Sequence, residues 1–408
     1  LYSLEHANDD TFYIRSNLEA PNYKIYKSSD INSLDKSLEE LVPHNKDIFI
    51  SDHLIFNDYL VLEIRENGLP GIQKINLLSK NATSLTFNEE SYYVSLGYNY
   101  DVNNKELFYG YSSPTQPYSI YSQNLLSDEI KMLWNKEIIN YDPEIYTTKR
   151  KFIEARDGTL IPVTITHRKN IDLKNSPILF YGYGSYGINT EAYFRSSIVP
   201  LLNRNFIHVL VNIRGGGEMG KHWYEQGRML NKLNTFHDFN DAVKALLDMG
   251  IGNKNKVFAQ GGSAGGLLMG AIINFEPDLY KGILSGVPFV DVLTTMSDAS
   301  IPLTTFEWDE WGNPENKDEY MYMKQYSPYD NIGALNYPAV FITSSLFDSQ
   351  VQYYEPAKYT PKLREYSTSN NPILLKMNLI GGHGGKSGRL NQMEETAEEY
   401  GFLLNLLD

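Results

Sequence analysis

The 408-residue sequence contains no cysteine, which excludes disulfide bonds, thiol catalysis and zinc sites built on cysteine. Cysteine-free chains are typical of reducing compartments, so we expect a cytoplasmic protein. No apolar run approaches 18 residues, and the sequence has no charged segment followed by an apolar leader, so we expect neither a membrane span nor a secretory signal.

Positive charge is also scarce: the sequence has 36 Lys and Arg and 50 Asp and Glu, a net charge of −14. This balance argues against a nucleic-acid surface; it favours cationic ligands wherever acids line a cleft, although solubility alone also explains it.

One segment has the pattern of a catalytic elbow. The strand-like run 257–259 breaks at Gly-Gly-Ser-Ala-Gly, residues 261–265, and a helix-like run follows. A serine at so sharp a turn adopts strained backbone angles, and flanking glycines allow the strand and helix to approach closely. Ser263 is therefore the candidate nucleophile. The alternative is a chance Gly-x-Ser-x-Gly match, which the flanking strand and helix argue against.

Residues 1–140 contain a repeated pattern of paired short strands. The repeats begin at Phe12, Leu60 and Leu107, 48 and 47 residues apart, and each contains a turn rich in Pro or Gly. This period is typical of four-stranded propeller blades. We therefore predict a partial β-propeller of about three blades, with an ordinary three-hairpin β domain as the alternative. Because propellers close with four to eight blades, and there is no initial Met, we expect the chain to be incomplete at its beginning.

Residues 141–408 alternate short apolar runs with longer helical patterns. An opening antiparallel pair is predicted on either side of the turn at Asp157-Gly158. The next apolar runs have the uninterrupted character of buried parallel strands; they are 177–181, 206–213, 257–259, 282–287, 339–344 and 373–379. Helices are predicted between and after them, among others at 236–249, 265–274, 353–365 and 392–407. The alternation predicts an α/β hydrolase with a doubly wound, mostly parallel sheet.

An elbow serine requires an acid and a histidine after later strands. Asp348 follows the predicted strand 339–344, and His383 lies in the glycine-rich loop after the last strand. His383 is then expected to take the proton of the serine hydroxyl and give it to the leaving amine, while Asp348 fixes the imidazole tautomer. Of the eight histidines, His222 remains the alternative base, and Asp330 remains the alternative acid.

Two groups are candidates for stabilising an oxyanion. One is the main-chain N–H of Ala264, directly after the nucleophile. The other is a group on the tyrosine-rich loop 181–187, where a phenol has the reach of a hydrogen-bond donor. Taken by itself, that loop is explained more simply by aromatic packing at a strand end.

Several motifs together resemble the oligopeptidase B group of the prolyl oligopeptidase family of serine peptidases. The similarity runs through 141–408, and the β part is similar to the later blades of that family's propeller. Family chains are longer at the N-terminus, so this chain resembles a truncated form. The motifs are Tyr-Gly-Tyr-Gly-Ser-Tyr-Gly at 181–187, Arg-Gly-Gly-Gly-Glu at 214–218, Gly-Gly-Ser-Ala-Gly-Gly at 261–266, Glu-Trp-Asp-Glu-Trp-Gly-Asn-Pro at 307–314, Asp-Ser-Gln-Val at 348–351 and Gly-His-Gly-Gly-Lys at 382–386.

The resemblance implies a cofactor-free serine endopeptidase that cuts short basic peptides after Arg or Lys. It implies that Tyr183 is the second oxyanion donor. It also implies that Glu307 and Asp309, where the family usually has two glutamates, bind the basic P1 side chain; a solvated acidic loop is the alternative. Glu191 and Tyr193 stand where the family has two aspartates for a basic P2 residue, so we expect a weakened preference for dibasic substrates.

Two other classes of function stay open. An esterase would share the catalytic residues without needing acidic P1 partners or a propeller. The second alternative is a truncated, catalytically impaired remnant that needs its missing N-terminal portion. Such a chain is expected to associate with that portion or with itself through open sheet edges.

Overall fold

The computed structural model describes residues 1–7, 10–33 and 37–408. Its contacts divide the chain into two compact units. The first unit contains Leu1–Glu144, Glu191–Arg195 and Gly217–Trp223; the second contains Ile145–Thr190, Ser196–Gly216 and Tyr224–Asp408. No helix in the described ranges has the length and apolarity needed to cross a membrane.

The described residues of the first unit form three four-stranded antiparallel sheets, and each sequence repeat corresponds to one of them. Asn67 and Gly68, both with positive φ, form the two-residue turn of the central hairpin, as expected for a type I′ turn. Strands such as β7 alternate between buried and partly exposed residues. The strands are β1 (Tyr2–His6), β2 (Phe12–Ser16), β3 (Lys24–Ser28) and β4 (Glu39–Val42); β5 (Ile48–Ile55), β6 (Tyr59–Glu66), β7 (Leu69–Asn76) and β8 (Ala82–Ser84); and β9 (Tyr93–Leu96), β10 (Glu106–Ser112), β11 (Ser119–Asn124) and β12 (Ile130–Asn135).

The second unit is built on one eight-stranded sheet with the order β13-β14-β16-β15-β17-β18-β19-β20. The first three strands of this order pair antiparallel, and every pair from β16 onward is parallel. All five residues of β16 are buried, because helices cover both faces of a parallel sheet. The strands are β13 (Tyr146–Glu154), β14 (Leu160–Arg168), β15 (Ile178–Tyr181), β16 (Ile207–Val211), β17 (Val257–Gly262), β18 (Gly282–Gly286), β19 (Ala339–Ser345) and β20 (Ile373–Asn378).

The helices agree with the four predicted segments to within a few residues and add several shorter ones. Three of the additional helices, α5 to α7, lie between β18 and β19, so the acidic segment around Glu307 is helical and not a loop. The α-helices in the described part of the chain are α1 (Val199–Leu202), α2 (Lys221–Glu225), α3 (Leu233–Asp248), α4 (Ala264–Phe275), α5 (Val292–Ser297), α6 (Thr304–Trp311), α7 (Lys317–Lys324), α8 (Tyr354–Tyr366) and α9 (Arg389–Asn405).

Candidate active site

Ser263 lies at the turn between β17 and α4 in a strained conformation, with φ 58° and ψ −118°. A non-glycine residue persists in that region only when its surroundings hold it there. Its N–H donates to the carbonyl of Gly286 over 2.8 Å, which ties the turn to the neighbouring strand β18. Gly261 explains the close approach of strand and helix: a Cβ there would lie 2.3 Å from the carbonyl oxygen of Gly265. The turn therefore has the geometry that an elbow requires.

Two hydrogen-bond donors lie beside Ser263. Ala264 is the first residue of α4, so its N–H is among those that have no carbonyl partner inside the helix. Tyr183 comes from the loop after β15, and its side chain lines the same cavity as Ser263. Burial, with smaller contributions from Tyr181, Glu310 and Glu307, raises the pKa of Tyr183 to about 12. The phenol therefore stays protonated at neutral pH and can act as a hydrogen-bond donor.

Asp348 and His383 form a close pair at the ends of β19 and β20. The Nδ1–H of His383 donates to Asp348 Oδ2 over 2.7 Å and to Oδ1 over 2.9 Å. The N–H groups of Gln350 and Val351 also donate to Oδ1, each over 2.9 Å. Burial alone would raise the pKa of Asp348, but the bonds from His383, Val351 and Gln350 outweigh it and hold the pKa below its usual value. The carboxylate stays charged, as is needed to orient an imidazole.

The two alternative residues lie in other surroundings. Asp330 accepts a hydrogen bond from the hydroxyl of Ser327 over 2.6 Å, in the 3₁₀ turn Tyr329–Asn331. His222 lies in α2, and desolvation lowers its pKa against the weaker opposing charge of Asp47. His383 thus meets Asp348 and not Asp330.

The order of the strands explains which side chains meet. Tyr183 and Ser263 follow the adjacent strands β15 and β17, while Asp348 and His383 follow the adjacent strands β19 and β20. Strand β18 lies between the two pairs, and each strand adds about 4.8 Å across a sheet. In the described part of the chain, no hydrogen bond joins Ser263 to His383, and His383 lines a separate cavity of about 220 Å³. The structure therefore forms two pairs of the predicted residues and leaves them unconnected.

Glu307, Tyr183, Ala264 and Ser263 share one cavity, which we call the elbow cavity. It has a volume of about 300 Å³ and is lined by Tyr183, Tyr186, Ile188, Ser263, Ala264, Phe289, Thr295, Met296, Ile301, Pro302, Leu303, Thr304, Glu307, Trp311, Gln350, Val351 and Gln352. Its walls combine apolar and polar side chains, and Glu307 is the one acid among these described residues. Such a cavity suits a ligand with an apolar stem and a positively charged end.

The carboxylate of Glu307 is held from one side. The phenol of Tyr186 donates to Glu307 Oε2 over 2.6 Å, and the indole N–H of Trp311 donates to the same oxygen over 2.9 Å. Both donors are uncharged, and no ion pair with a Lys, Arg or His of the described residues balances the carboxylate. No hydrogen bond to Oε1 is found within the described residues, which leaves that oxygen available to a ligand.

Asp309 does not join Glu307 in the cavity. It is exposed, is not among the described residues that line the elbow cavity, and contributes its main-chain carbonyl to Arg228 over 2.6 Å. Both residues lie on α6, where positions two apart point about 200° away from each other. The predicted pair therefore cannot face one cavity, because the segment is a helix.

The residues that do share a face with Glu307 were missed by the sequence interpretation. Glu310 and Trp311 lie three and four positions after Glu307, on the same side of a helix. Glu310 is buried and accepts hydrogen bonds from the N–H of Tyr186, over 3.0 Å, and the phenol of Tyr224, over 2.7 Å. Recognition of a helix at 304–311 would have found them, because the helical spacing identifies the side that they share.

Glu191 belongs by its contacts to the first unit, where it pairs with an arginine. Arg65 donates to Glu191 through Nη1, over 2.6 Å, and through Nη2, over 3.3 Å. The side chains are 6% and 16% exposed, respectively. The negative charge of Glu191 is thus largely neutralised within the protein itself.

Comparison with known proteins identifies both parts of the chain. Residues 192–408 match the model of the Prolyl oligopeptidase family, and residues 1–136 match the model of the N-terminal beta-propeller domain of prolyl oligopeptidase. These matches confirm the predicted α/β-hydrolase fold preceded by part of a β-propeller.

Several relatives match across the whole chain. It is 42% identical to dipeptidyl aminopeptidase BI of Pseudoxanthomonas mexicana and 39% identical to protease 2 of Moraxella lacunata, over 100% of this chain in both cases. Among solved structures, oligopeptidase B from Trypanosoma brucei with covalently bound antipain matches all of this chain and 59% of its own, with a TM-score of 0.92 and 37% identity. The chain spans only 56% and 59% of the length of the two curated relatives. The matched family model covers more than half of the chain, which therefore belongs to the prolyl oligopeptidase family.

Proposed function

We propose that this chain is a serine oligopeptidase that cleaves short peptides on the carboxyl side of Arg or Lys. The observation that carries the proposal is the elbow cavity, where a strained serine, a protonated phenol and an acid with one available oxygen line the same space. A scissile carbonyl bound beside Ser263 would lie near Tyr183, and the preceding side chain would extend toward Glu307. Family membership supports the reaction class, and the geometry supports the choice of residues.

The proposed reaction begins with attack of the Ser263 hydroxyl on the peptide carbonyl. His383 accepts the hydroxyl proton and then donates it to the leaving amine, leaving an acyl-enzyme that water hydrolyses. The N–H of Ala264 and the phenol of Tyr183 donate to the developing oxyanion, a contribution worth about 3 kcal/mol per donor in related chemistry. Asp348 keeps the imidazole in the tautomer that has a free Nε2.

The proposed proton transfer requires His383 to come within hydrogen-bond reach of Ser263. The glycines on both sides of His383 allow its loop to adopt other backbone angles, and hydrogen bonds of this kind often tighten only when substrate is bound. The turn after Asp348 already borders the elbow cavity through Gln350 and Val351. A substrate in that cavity would therefore contact the segment that holds the base.

Specificity for a basic P1 residue is assigned to Glu307. A guanidinium or an ammonium would donate to its available Oε1, while Phe289, Met296 and Trp311 pack against the methylene stem. Because one oxygen recognises the cation, and Asp309 points elsewhere, Arg and Lys are expected to be accepted to a similar degree.

The decisive experiment measures cleavage of three N-terminally blocked fluorogenic peptides with Arg, Pro and Phe at P1. The chain and its Ser263→Ala variant are compared, with matched folding checked by circular dichroism. We expect cleavage after Arg alone, and none by the variant. Equal cleavage of all three peptides by the chain, cleavage of the Arg peptide by the variant, or no cleavage by the well-folded chain would contradict the proposal.

The same assay separates the alternatives. The name of the Pseudoxanthomonas relative points to removal of dipeptides, so each peptide is also tested with a free amino terminus. Cleavage of the free forms alone would favour that activity, and hydrolysis of simple esters without peptide cleavage would favour an esterase. An inactive chain that gains activity when the N-terminal part of a relative is added would be an impaired remnant.

Self-association is a separate part of the proposal, supported by one edge strand. Strand β12 pairs with β11 alone among the described strands, and its apolar side chains Ile130, Met132, Leu133 and Trp134 are each about half exposed. An exposed apolar edge favours pairing with another chain. Light scattering should show a species larger than 46.7 kDa, and Met132→Lys should shift it toward the monomer.

A further inference from the structure

A buried lysine lies between the oxyanion loop and the helix that carries Glu307. Lys232 is 1% exposed and lies between the 3₁₀ turn Met229–Asn231 and α3. Its ammonium donates to the carbonyl of Gly184 over 2.6 Å and to the hydroxyl of Ser185 over 2.7 Å. It also lies 3.8 Å from Glu310 Oε1 and 4.9 Å from the centre of the Trp311 ring.

An ammonium in such a position is costly to the fold. Burial lowers the pKa of Lys232 to about 8, although the charge of Glu310 opposes the shift. Removing an ion from water is costly, and an apolar side chain of similar length is often at least as stabilising. Stability alone therefore gives a weak reason for a lysine here, and its contacts point to another role.

Those contacts join two separate elements of the site. Gly184 directly follows Tyr183, so the bond to its carbonyl fixes the loop next to the phenol that shares the elbow cavity with Ser263. Glu310 lies on α6, one turn after Glu307, and also accepts the N–H of Tyr186. One ammonium thus holds the main chain beside the oxyanion donor and the helix that presents the P1 acid.

We propose that Lys232 is a positioning residue that fixes the Tyr183 phenol relative to the Glu307 carboxylate. This inference rests on the proposed function and deepens it: binding of a basic P1 side chain and stabilisation of the oxyanion depend on the same buried contact. Without Lys232, the oxyanion loop and α6 move independently, and a misplacement of about 1 Å at a reacting group costs up to about 100-fold in rate.

The test compares Lys232→Met with the double variant Lys232→Met/Glu310→Gln. The single variant leaves Glu310 charged and buried without its cation, so a loss of melting temperature is expected from that alone. The double variant removes both charges at nearly constant volume and should recover most of the melting temperature. Lys244→Met serves as the matched control, because Lys244 is 42% exposed and pairs with Glu276 and Asp241 at the surface.

Kinetics and hydrogen exchange then separate positioning from structural support. Relative to Glu310→Gln alone, we expect the folded double variant to lose about 10- to 100-fold in kcat for an Arg peptide and to gain in KM, whereas a simple ester loses kcat with KM unchanged. Amide exchange should rise in both 181–187 and 304–311, with no change in Lys244→Met. Unchanged kcat and unchanged exchange would overturn the inference. Exchange is read without substrate, so an inactive wild-type chain would count against the proposed function while this result still decides the role of Lys232.

Discussion

Glu191 and Glu307 were both assigned to basic side chains of a substrate, yet their surroundings differ. Glu191 faces Arg65, which donates through two nitrogens and balances its charge. Glu307 faces two uncharged donors, Tyr186 and Trp311, which contact one oxygen and leave the charge unbalanced. An acid that an internal arginine already neutralises gains little from a second cation, whereas an acid held only by neutral donors retains its attraction. The partner of a carboxylate thus decides whether it can recognise a ligand.

The largest expected effect is on cleavage after Arg when Glu307 loses its charge. Glu307→Gln keeps the size of the side chain and removes the charged partner of the substrate's basic group. Losing this ion pair in a desolvated cavity should cost about 3 kcal/mol of transition-state binding, so kcat/KM should fall about 100-fold. Hydrolysis of a Phe ester should be unchanged. Asp309→Asn is the matched control on the same helix and should stay within about two-fold of the wild type. Equal losses in the two variants would show that the two acids act together.

The next effect concerns the stability of the first unit. Arg65→Leu leaves Glu191 partly buried with an uncompensated charge, so the free energy of unfolding should fall by about 3 kcal/mol in denaturant titrations. The double variant Arg65→Leu/Glu191→Gln should recover most of that loss. If the single and double variants unfold alike, then the pair does not neutralise Glu191 in the way that its geometry indicates.

The same pair bears on the preference at P2. Since Arg65 already occupies Glu191, a second Arg in the substrate should add less than about five-fold to kcat/KM in the wild-type chain. The same comparison in a full-length relative with two aspartates at these positions should show a larger gain. Equal gains in both enzymes would contradict the weakened dibasic preference.

A third acid extends the comparison to full burial. Glu355 is 1% exposed, and its donors among the described residues are all neutral: the hydroxyl of Thr295 and the N–H groups of Val290 and Asp291. Burial raises the pKa of Glu355 to about 7, and those hydrogen bonds only partly oppose it. Because the folded state holds this proton more tightly than the unfolded state, this residue's contribution to the free energy of unfolding falls as pH rises from about 4.5 to about 7.

Glu355→Gln should remove that pH-dependent contribution. Unfolding free energies of the two proteins, measured between pH 4 and 8, should converge or cross as pH rises, with a relative change of about 3 kcal/mol. The absolute stability of the variant is less informative, because Gln also replaces an acceptor by a donor facing main-chain N–H groups. A constant difference across the whole range would show that Glu355 titrates normally.

Parts of this site were predictable from sequence because their signals are local. A glycine-rich turn between a strand and a helix makes Ser263 the candidate nucleophile, and their places after later strands make Asp348 and His383 its candidate partners. The pairing of Asp348 with His383 follows from their adjacent strands. The sheet of the second unit was predictable for the same reason, since short apolar runs and helical patterns alternate along the chain.

Other features depend on contacts between residues far apart in the sequence, or on which side of a helix a residue lies. A single sequence shows neither directly. Arg65 and Glu191 are 126 residues apart, and nothing in either segment identifies the other. The choice of Glu307 over Asp309 depends on α6 being a helix, because that sets which positions share a side. The sequence of this segment does not show a clear amphipathic pattern, because apolar and acidic residues lie on all sides of the helix. Lys232 was missed because lysine is seldom fully buried.

The smallest expected effect tests how neutral donors hold Glu307. Tyr186→Phe removes one hydrogen bond to Oε2 and keeps the ring, which lies 5.6 Å from the centre of Trp311 in an edge-on arrangement. Trp311 still donates to the same oxygen, so the loss should be that of one hydrogen bond, about 1 kcal/mol of binding free energy for the basic side chain. KM for the Arg peptide should therefore rise about five-fold with little change in kcat. The Phe ester, which does not use Glu307, serves as the internal control. A larger loss that appears in kcat for both substrates would mean that Tyr186 supports the oxyanion loop and not the acid, and it would move Tyr186 from the recognition of the cation to the positioning of Tyr183.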